Sequence, residues 1–239
     1  MKNYLHFVSL LFLLSSCASS GSYYDSYGYQ ENEPTLTKSL FPSDQRVISQ
    51  AAIDTILASE IQLPRNAKIA LINFPSENTQ RSSVYGYGYW RSEDYLKLQQ
   101  SYIDTLSSHL LETDFAESVI HLPSMLTPIE PTLPILREAA VRLQSPLMIV
   151  FRINSDIYEE FRFFRNNKAK AFSTIELVLL DVRTGLIPFT SIVTEEYMAE
   201  KLNSDSNFRE TMKRAEREAT LRSINKASNK LSAFFKNQK

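Results

Sequence analysis

Leu147-Met148-Ile149-Val150-Phe151-Arg152-Ile153 is the stretch on which the fold turns. It is rich in β-branched and aromatic residues, too short for an independent helix, and nearly unbroken in its apolar character. Such a run reads as a strand buried on both faces. It extends through a bend towards Phe164, and Asn166-Asn167 then supplies a turn that tolerates left-handed backbone. The chain returns as a strand from Ala171 to Val182, passes Arg183-Thr184-Gly185, and forms another strand ending near Met198. Gly185 offers the positive φ that a tight connection needs. The segment is therefore expected to be a β-meander.

Working backwards, Lys68 to Phe74 is a second short apolar run halted by Pro75, and Val119 to Leu122 a third. Between them, Tyr95, Leu98, Tyr102, Ile103, Leu106 and Leu110 recur at helical spacing behind Glu93 and Asp94, acids suited to a helix N-terminus. Leu133, Leu136, Ala139, Ala140 and Leu143 mark another helix. Earlier still, Pro42-Ser43-Asp44 offers a helix start, and Val47, Ile48, Ala51, Ala52 and Ile56 give a helix ending before Pro64 and expected to dock one face on the domain. Working forwards, Phe208, Met212, Ala215, Ala219, Ile224, Ala227, Leu231 and Phe234 define a long C-terminal helix. The expected class is α/β (α+β): a mixed sheet in β-α-β-α-β-β-β order, with a C-terminal meander and flanking helices.

The amino terminus carries a different message. Lys2 precedes an apolar stretch from Leu5 to Leu14, too short to span roughly 30 Å of hydrocarbon as a permanent helix. It reads as a signal peptide over residues 1–16. Residues 17–40 are mostly Ser, Gly, Tyr, Asn and Glu without apolar period, so they read as a tether whose root-mean-square span is about 25 Å. The single domain is expected over residues 41–239. A formal net charge of −1 gives no field for binding nucleic acid. Cys17 is the only cysteine, so neither an intramolecular disulfide nor a cysteine metal cage can form.

Leu14-Ser15-Ser16-Cys17 resembles the lipobox of bacterial lipoproteins: an aliphatic residue, two small residues, then the cysteine that receives the acyl chains. The resemblance implies cleavage before Cys17 and palmitate-type lipidation on it. Lipobox proteins carry two or three chains, and at about 0.8 kcal/mol per buried methylene these anchor a protein stably. Ala18, standing where an aspartate would mark inner-membrane retention, implies an outer-membrane protein facing the periplasm in a Gram-negative cell. The mature domain, from Ile69-Ala-Leu-Ile-Asn-Phe74 through Arg142-Leu-Gln-Ser145 and Leu180-Asp-Val-Arg-Thr-Gly185 to the last helix, resembles a second group. That group comprises the TolB amino-terminal domain, the curli-secretion lipoprotein and the lipoprotein activators of penicillin-binding proteins. It implies a non-enzymatic adaptor in envelope assembly, secretion or wall synthesis, with an envelope protein as partner. Self-assembly as a subunit of an oligomeric envelope complex is the alternative. Fold likeness alone does not carry function.

Chemistry is thinly represented. His109 and His121 lack neighbours at metal-ligand spacing, and no cofactor motif accompanies the Gly86-x-Gly88 pair. Asp156, Glu159 and Glu160 are the carboxylates that a glycan-acting enzyme would use, though a solvated sheet edge is the plainer reading. Two clusters are candidate partner-binding sites. Tyr85, Tyr87, Tyr89 and Trp90 form an aromatic loop, as hot-spot residues often do. Arg162, Arg165 and Lys168, with Lys170, accompany the phenylalanines of Phe161-Arg-Phe-Phe-Arg165, where they would grip an acidic glycan, a lipid headgroup or a protein. The alternative for this second cluster is basic protection of an edge strand.

Overall fold

The computed structural model describes residues 39–41, 48–74, 93–123, 126, 131–160 and 167–238. Helix α1 spans Gln50–Ala58, β1 Ala67–Asn73, α2 Glu93–Leu111, β2 Ala116–His121 and α3 Leu133–Arg142. Strands β3, Leu147–Glu160, β4, Lys168–Asp181, and β5, Phe189–Glu200, follow, and α4, Phe208–Asn237, ends the chain. The five strands form one sheet in the order β2-β1-β3-β4-β5. β2, β1 and β3 run parallel, while β3, β4 and β5 are antiparallel. The protein is thus an α+β fold with a mixed sheet and a C-terminal meander. The expected strand at Leu147 lies at its centre, buried from Leu147 to Phe151.

The topology explains where the helices go. The chain moves outward from β1 to β2 through α2, then back across β1 to β3 through α3. Two parallel crossovers of one hand that travel in opposite directions place their helices on opposite faces. Accordingly, Tyr102, Leu106 and Leu110 of α2 pack with Ile69, Leu71, Ile149 and Phe151. On the other face, Leu136 and Ala140 of α3 pack with Ala70, Ile72, Met148 and Val150.

Helix α4 lies beside α2 and covers the same face of the antiparallel wing. Its contact is built from small side chains: Ala215 and Ala219 meet Ala169, Ala171 and Ala199. The Thr220 hydroxyl donates to Ser173 Oγ at 3.0 Å, and Ser155 Oγ donates to the buried carboxylate of Glu216. Met212 is buried in the same cluster, with Ile157, Tyr197 and Phe208 packed against it. At the far end larger residues take over, where Leu231 is buried and Phe235 stacks on Phe115 with centroids 4.7 Å apart.

Two ionic clasps hold the connections. Asp181, buried at the end of β4, accepts from the Arg183 backbone N–H at 3.0 Å and from its guanidinium at 2.9 Å, while Arg183 also donates to the Gln62 carbonyl. Gly185 takes φ +78° beside Arg137, which donates to the carbonyls of Val182 and Arg183. Burial alone would raise the Asp181 carboxyl, but the Arg183 bonds outweigh it and hold the group below its ordinary range. Before α4, Asp205 accepts from Arg214 at 2.8 Å, from the Leu202 N–H and from the Thr211 hydroxyl. These bonds, Arg214 foremost, hold it well below the usual carboxylate range.

One expectation is corrected. The helix expected to dock near residue 50 forms as α1, capped by Ser49, yet it buries no residue, and Leu57 is 79% exposed. Its apolar residues do not join the core clusters. Residues 42–47, where its start was expected, lie outside those described.

Two measurements probe this packing. Ala219→Leu inserts bulk into the α4 seam and is expected to lower urea stability by about 1–3 kcal/mol. Asp205 has a lowered folded-state pKa, so its stabilisation is complete above the ordinary aspartate range and is lost as pH falls through the lower folded value. Asp205→Asn should therefore melt lower than wild type near neutrality, with the gap closing below about pH 4.

Candidate interaction surface

The helix arrangement leaves one large surface of the sheet uncovered among the described residues. α3 covers the β1–β3 end of its face, but nothing described lies over the same face of the antiparallel wing. Strand alternation puts even-numbered residues there, from Arg152 onward in β3, from Lys168 to Glu176 in β4 and from Thr190 onward in β5; Val178 and Leu180 belong to the core under α3. In β5 these positions are exposed without exception, while Val193 and Ala199 on the α4 side are buried.

Cross-strand pairs organise this face. Arg152, only 13% exposed, meets Glu176 directly opposite at 2.6 Å. Lys170 reaches Glu196 diagonally at 2.7 Å and lies over the Phe172 ring at 4.7 Å. Thr174 and Thr194 share a hydrogen bond of 2.8 Å, and Tyr158 packs edge-on against Phe172 with centroids 5.7 Å apart. Arg152 and Lys170 are thus neutralised within the sheet, and the carboxylates that remain give the face a modest acidic excess. Between them stand large apolar groups: Ile192 is 69% exposed, Tyr158 55% and Met198 49%.

Of the residues singled out in the sequence, Lys168 opens β4 on this face, opposite Glu160 on one side and Glu200 on the other. Cys17, Tyr85, Tyr87, Tyr89, Trp90, Arg162 and Arg165 lie outside the described residues. The edge-protection reading of Lys168 and Lys170 is corrected, because β4 is an inner strand with β3 and β5 on its two sides. A free basic clamp for an acidic ligand is not what Lys170 provides either, since Glu196 already neutralises it.

The carboxylates considered for glycan hydrolysis do not converge. Glu159 and Glu160 are adjacent on a strand and point to opposite faces. Asp156 and Glu160 share a face but stand about 13 Å apart along it, beyond the roughly 5–9.5 Å that paired glycosidase carboxylates require. Asp156 also accepts from the Ile157 N–H at 2.9 Å, and its hydrogen bond and charge raise the Tyr158 phenol above its ordinary value. These residues occupy the half of β3 that runs past its pairing with β1, which ends at Phe151.

His109 lies between α2 and α4, with Nε2 3.0 Å from Asn225 Oδ1. His121 ends β2, where partial desolvation lowers its imidazole pKa. No group of three or more potential metal ligands occurs among the described residues. An open cleft of about 380 Å³ lies between the start of α2 and α4, lined by Asp94, Leu98, Lys213 and Arg217 together with the Asp205–Arg214 clasp. Its strongest charges are bound to one another, so it presents no net charge of one sign.

Sequence reading passed over Arg152, Phe172, Ile192 and Met198. The alternation was visible, but both faces of β5 mix polar and apolar residues: Ile192 and Met198 on one, Val193 and Tyr197 on the other. Which face lacks a helix was the missing information.

No protein-family model and no curated protein matches the chain. Among solved structures it is similar to a hypothetical protein from Chlamydia trachomatis, at 12% identity over 71% of this chain and 98% of the other, with a TM-score of 0.43. A minor lipoprotein from Acinetobacter baumannii is 9% identical over 71% and 93%, with a TM-score of 0.37. A PelC dodecamer from Paraburkholderia phytofirmans is 12% identical over 71% and 95%, with a TM-score of 0.33. Likeness of this degree assigns neither a family nor an activity.

The Arg152–Glu176 pair gives the surface a test of its own. Glu176→Gln would leave a mostly buried guanidinium without its counter-charge, and is expected to cost about 1–3 kcal/mol in denaturant titrations. Arg152→Met with Glu176→Leu should recover most of that loss.

Proposed function

We propose that this chain is a lipid-anchored envelope protein that works by contact rather than catalysis, docking an envelope protein on the open face of its antiparallel wing. One observation carries the docking half of the proposal: the uncovered sheet face, in which Arg152 and Lys170 are paired internally and apolar side chains stand exposed between them. A surface of this kind suits a protein partner, because neutralised cations and a modest excess of carboxylates attract neither a polyanion nor an acidic membrane. The absence of converging carboxylates in the Asp156–Glu160 segment favours the same reading over glycan hydrolysis.

The anchoring half rests on Leu14-Ser15-Ser16-Cys17, with the acyl chains on Cys17 holding the protein to the outer membrane on its periplasmic side. No described helix is long and apolar enough to cross a membrane. Tyr85, Tyr87, Tyr89, Trp90, Arg162 and Arg165 join Lys168 as proposed partner contacts on the strength of their residue types. Contact with a partner of this sort leaves the protein free of any cofactor requirement.

Labelling cells with radioactive palmitate should mark the wild-type chain, while Cys17→Ala should abolish the label and leave the precursor uncleaved. In-cell crosslinking should recover one dominant envelope protein. Tyr158→Ala with Lys170→Ala is expected to weaken recovery about tenfold, as loss of a central aromatic contact does. Recovery unchanged by that pair would remove the sheet face from the proposal. Recovery lost instead on replacing Tyr87, Tyr89 and Trp90 would move the contact to the aromatic loop.

A further inference from the structure

Strand β5 stands at the end of the sheet, and among the described residues no strand pairs with its outer side. Edge strands are ordinarily protected against further pairing by brevity, proline, charged side chains (lysine above all) or a bulge. β5 is long and lacks proline, lysine and a bulge, and of its three glutamates Glu195 is paired with Lys226 and Glu196 with Lys170. It runs for 12 residues, contains no proline and no basic residue, and keeps a continuous register with β4 from Phe189 to Glu200. Such an edge is an interaction surface that needs a strand of matching chemistry.

We propose that this strand is β5 of a second copy, paired antiparallel about a two-fold axis at Glu195 to give one continuous ten-stranded sheet. Opposed residues in an antiparallel ladder point to the same face, so an isologous pairing across a perpendicular axis must centre on a residue. Centring on Glu195 places Ile192 opposite Met198 of the second copy, twice. These are the two large apolar side chains that β5 exposes. The same register sets Thr194 opposite Glu196 and Thr190 opposite Glu200 on the open face, and Val193 opposite Tyr197 on the α4 side.

Neighbouring registers do worse. Centring on Thr194 puts Ile192 against Glu196, and centring on Glu196 puts it against Glu200. Two like-charge contacts cross the axis, Glu195 opposite its own counterpart and Glu196 diagonal to its own, and both are already compensated: Lys226 of α4 lies 2.5 Å from Glu195 and Lys170 2.7 Å from Glu196 in each copy. At each contact two lysines would flank two glutamates. A strand ladder alone buries less than the roughly 1,200 Å² of a stable interface, so the dimer should be reversible and is best detected by trapping. It stands independently of the docking proposal, since neither acylation nor a partner protein enters into it.

The test uses the full chain purified in detergent and oxidised with copper phenanthroline, with the parent chain as the baseline for Cys17. Opposed Cα atoms lie about 4.5–5.5 Å apart, within the reach of a disulfide, whereas residues one pair further on exceed about 7 Å. Glu195→Cys is expected to give about tenfold more covalent dimer than either the parent or Thr194→Cys. Adding Ile192→Glu to Glu195→Cys should cut the yield about tenfold, while Ile192→Glu alone melts like the parent because its side chain is exposed. If Glu195→Cys itself lowers the melting temperature, Ile192→Cys with Met198→Cys reports the same register. That double variant should dimerise where each single one does not. Equal dimer from Thr194→Cys, or no dimer above the parent from either reporter, would overturn the pairing. A palmitate label lost with Cys17 would not touch it.

Discussion

The small-residue seam between α4 and the antiparallel wing is the constraint on which the rest of this structure depends. Ala169, Ala171 and Ala199 face Ala215 and Ala219, so the first half of a 30-residue helix meets two strands largely through small side chains. A contact of small residues fixes the first half of the helix against the sheet, since added bulk there would have to displace it. It also commits the helix to one face. Once α4 and α2 share that face and α3 serves the other only near β1, no helix among the described residues covers the remaining half of the second face.

The side chains on the uncovered half are consistent with that position. A buried sheet face would carry the near-continuous apolar run seen at Leu147 to Phe151, and an idle solvated face would carry scattered polar groups. This face does neither. It spaces ion pairs between Tyr158, Phe172, Ile192 and Met198, so that apolar area is presented beside partly compensated charge with a modest acidic excess. Protein interfaces are built on that balance of apolar centre and satisfied polar contacts.

The proposed anchor and the proposed docking face are separate in sequence. Cys17 lies far in sequence from the sheet. A body held this way would meet its partners by local concentration as much as by affinity, which favours weak and reversible surfaces such as an unprotected edge strand.

The sequence by itself determined the elements and their kinds. Leu147–Ile153 read as a strand, Leu133–Leu143 and Phe208–Phe234 carried helical periods, and Gly185 marked the turn it occupies at φ +78°. It also determined the lone cysteine and its lipobox-like setting, since both are matters of order along the chain. The tertiary structure alone decided that β4 is an inner strand, that Lys170 is neutralised by Glu196, that Asp156 and Glu160 stand apart, and that α1 buries nothing. Local periodicity records which residues share a face, because neighbours along the chain set it. Which face receives a helix depends on crossover direction and on contacts between residues far apart in sequence, and those are fixed only when the chain closes on itself.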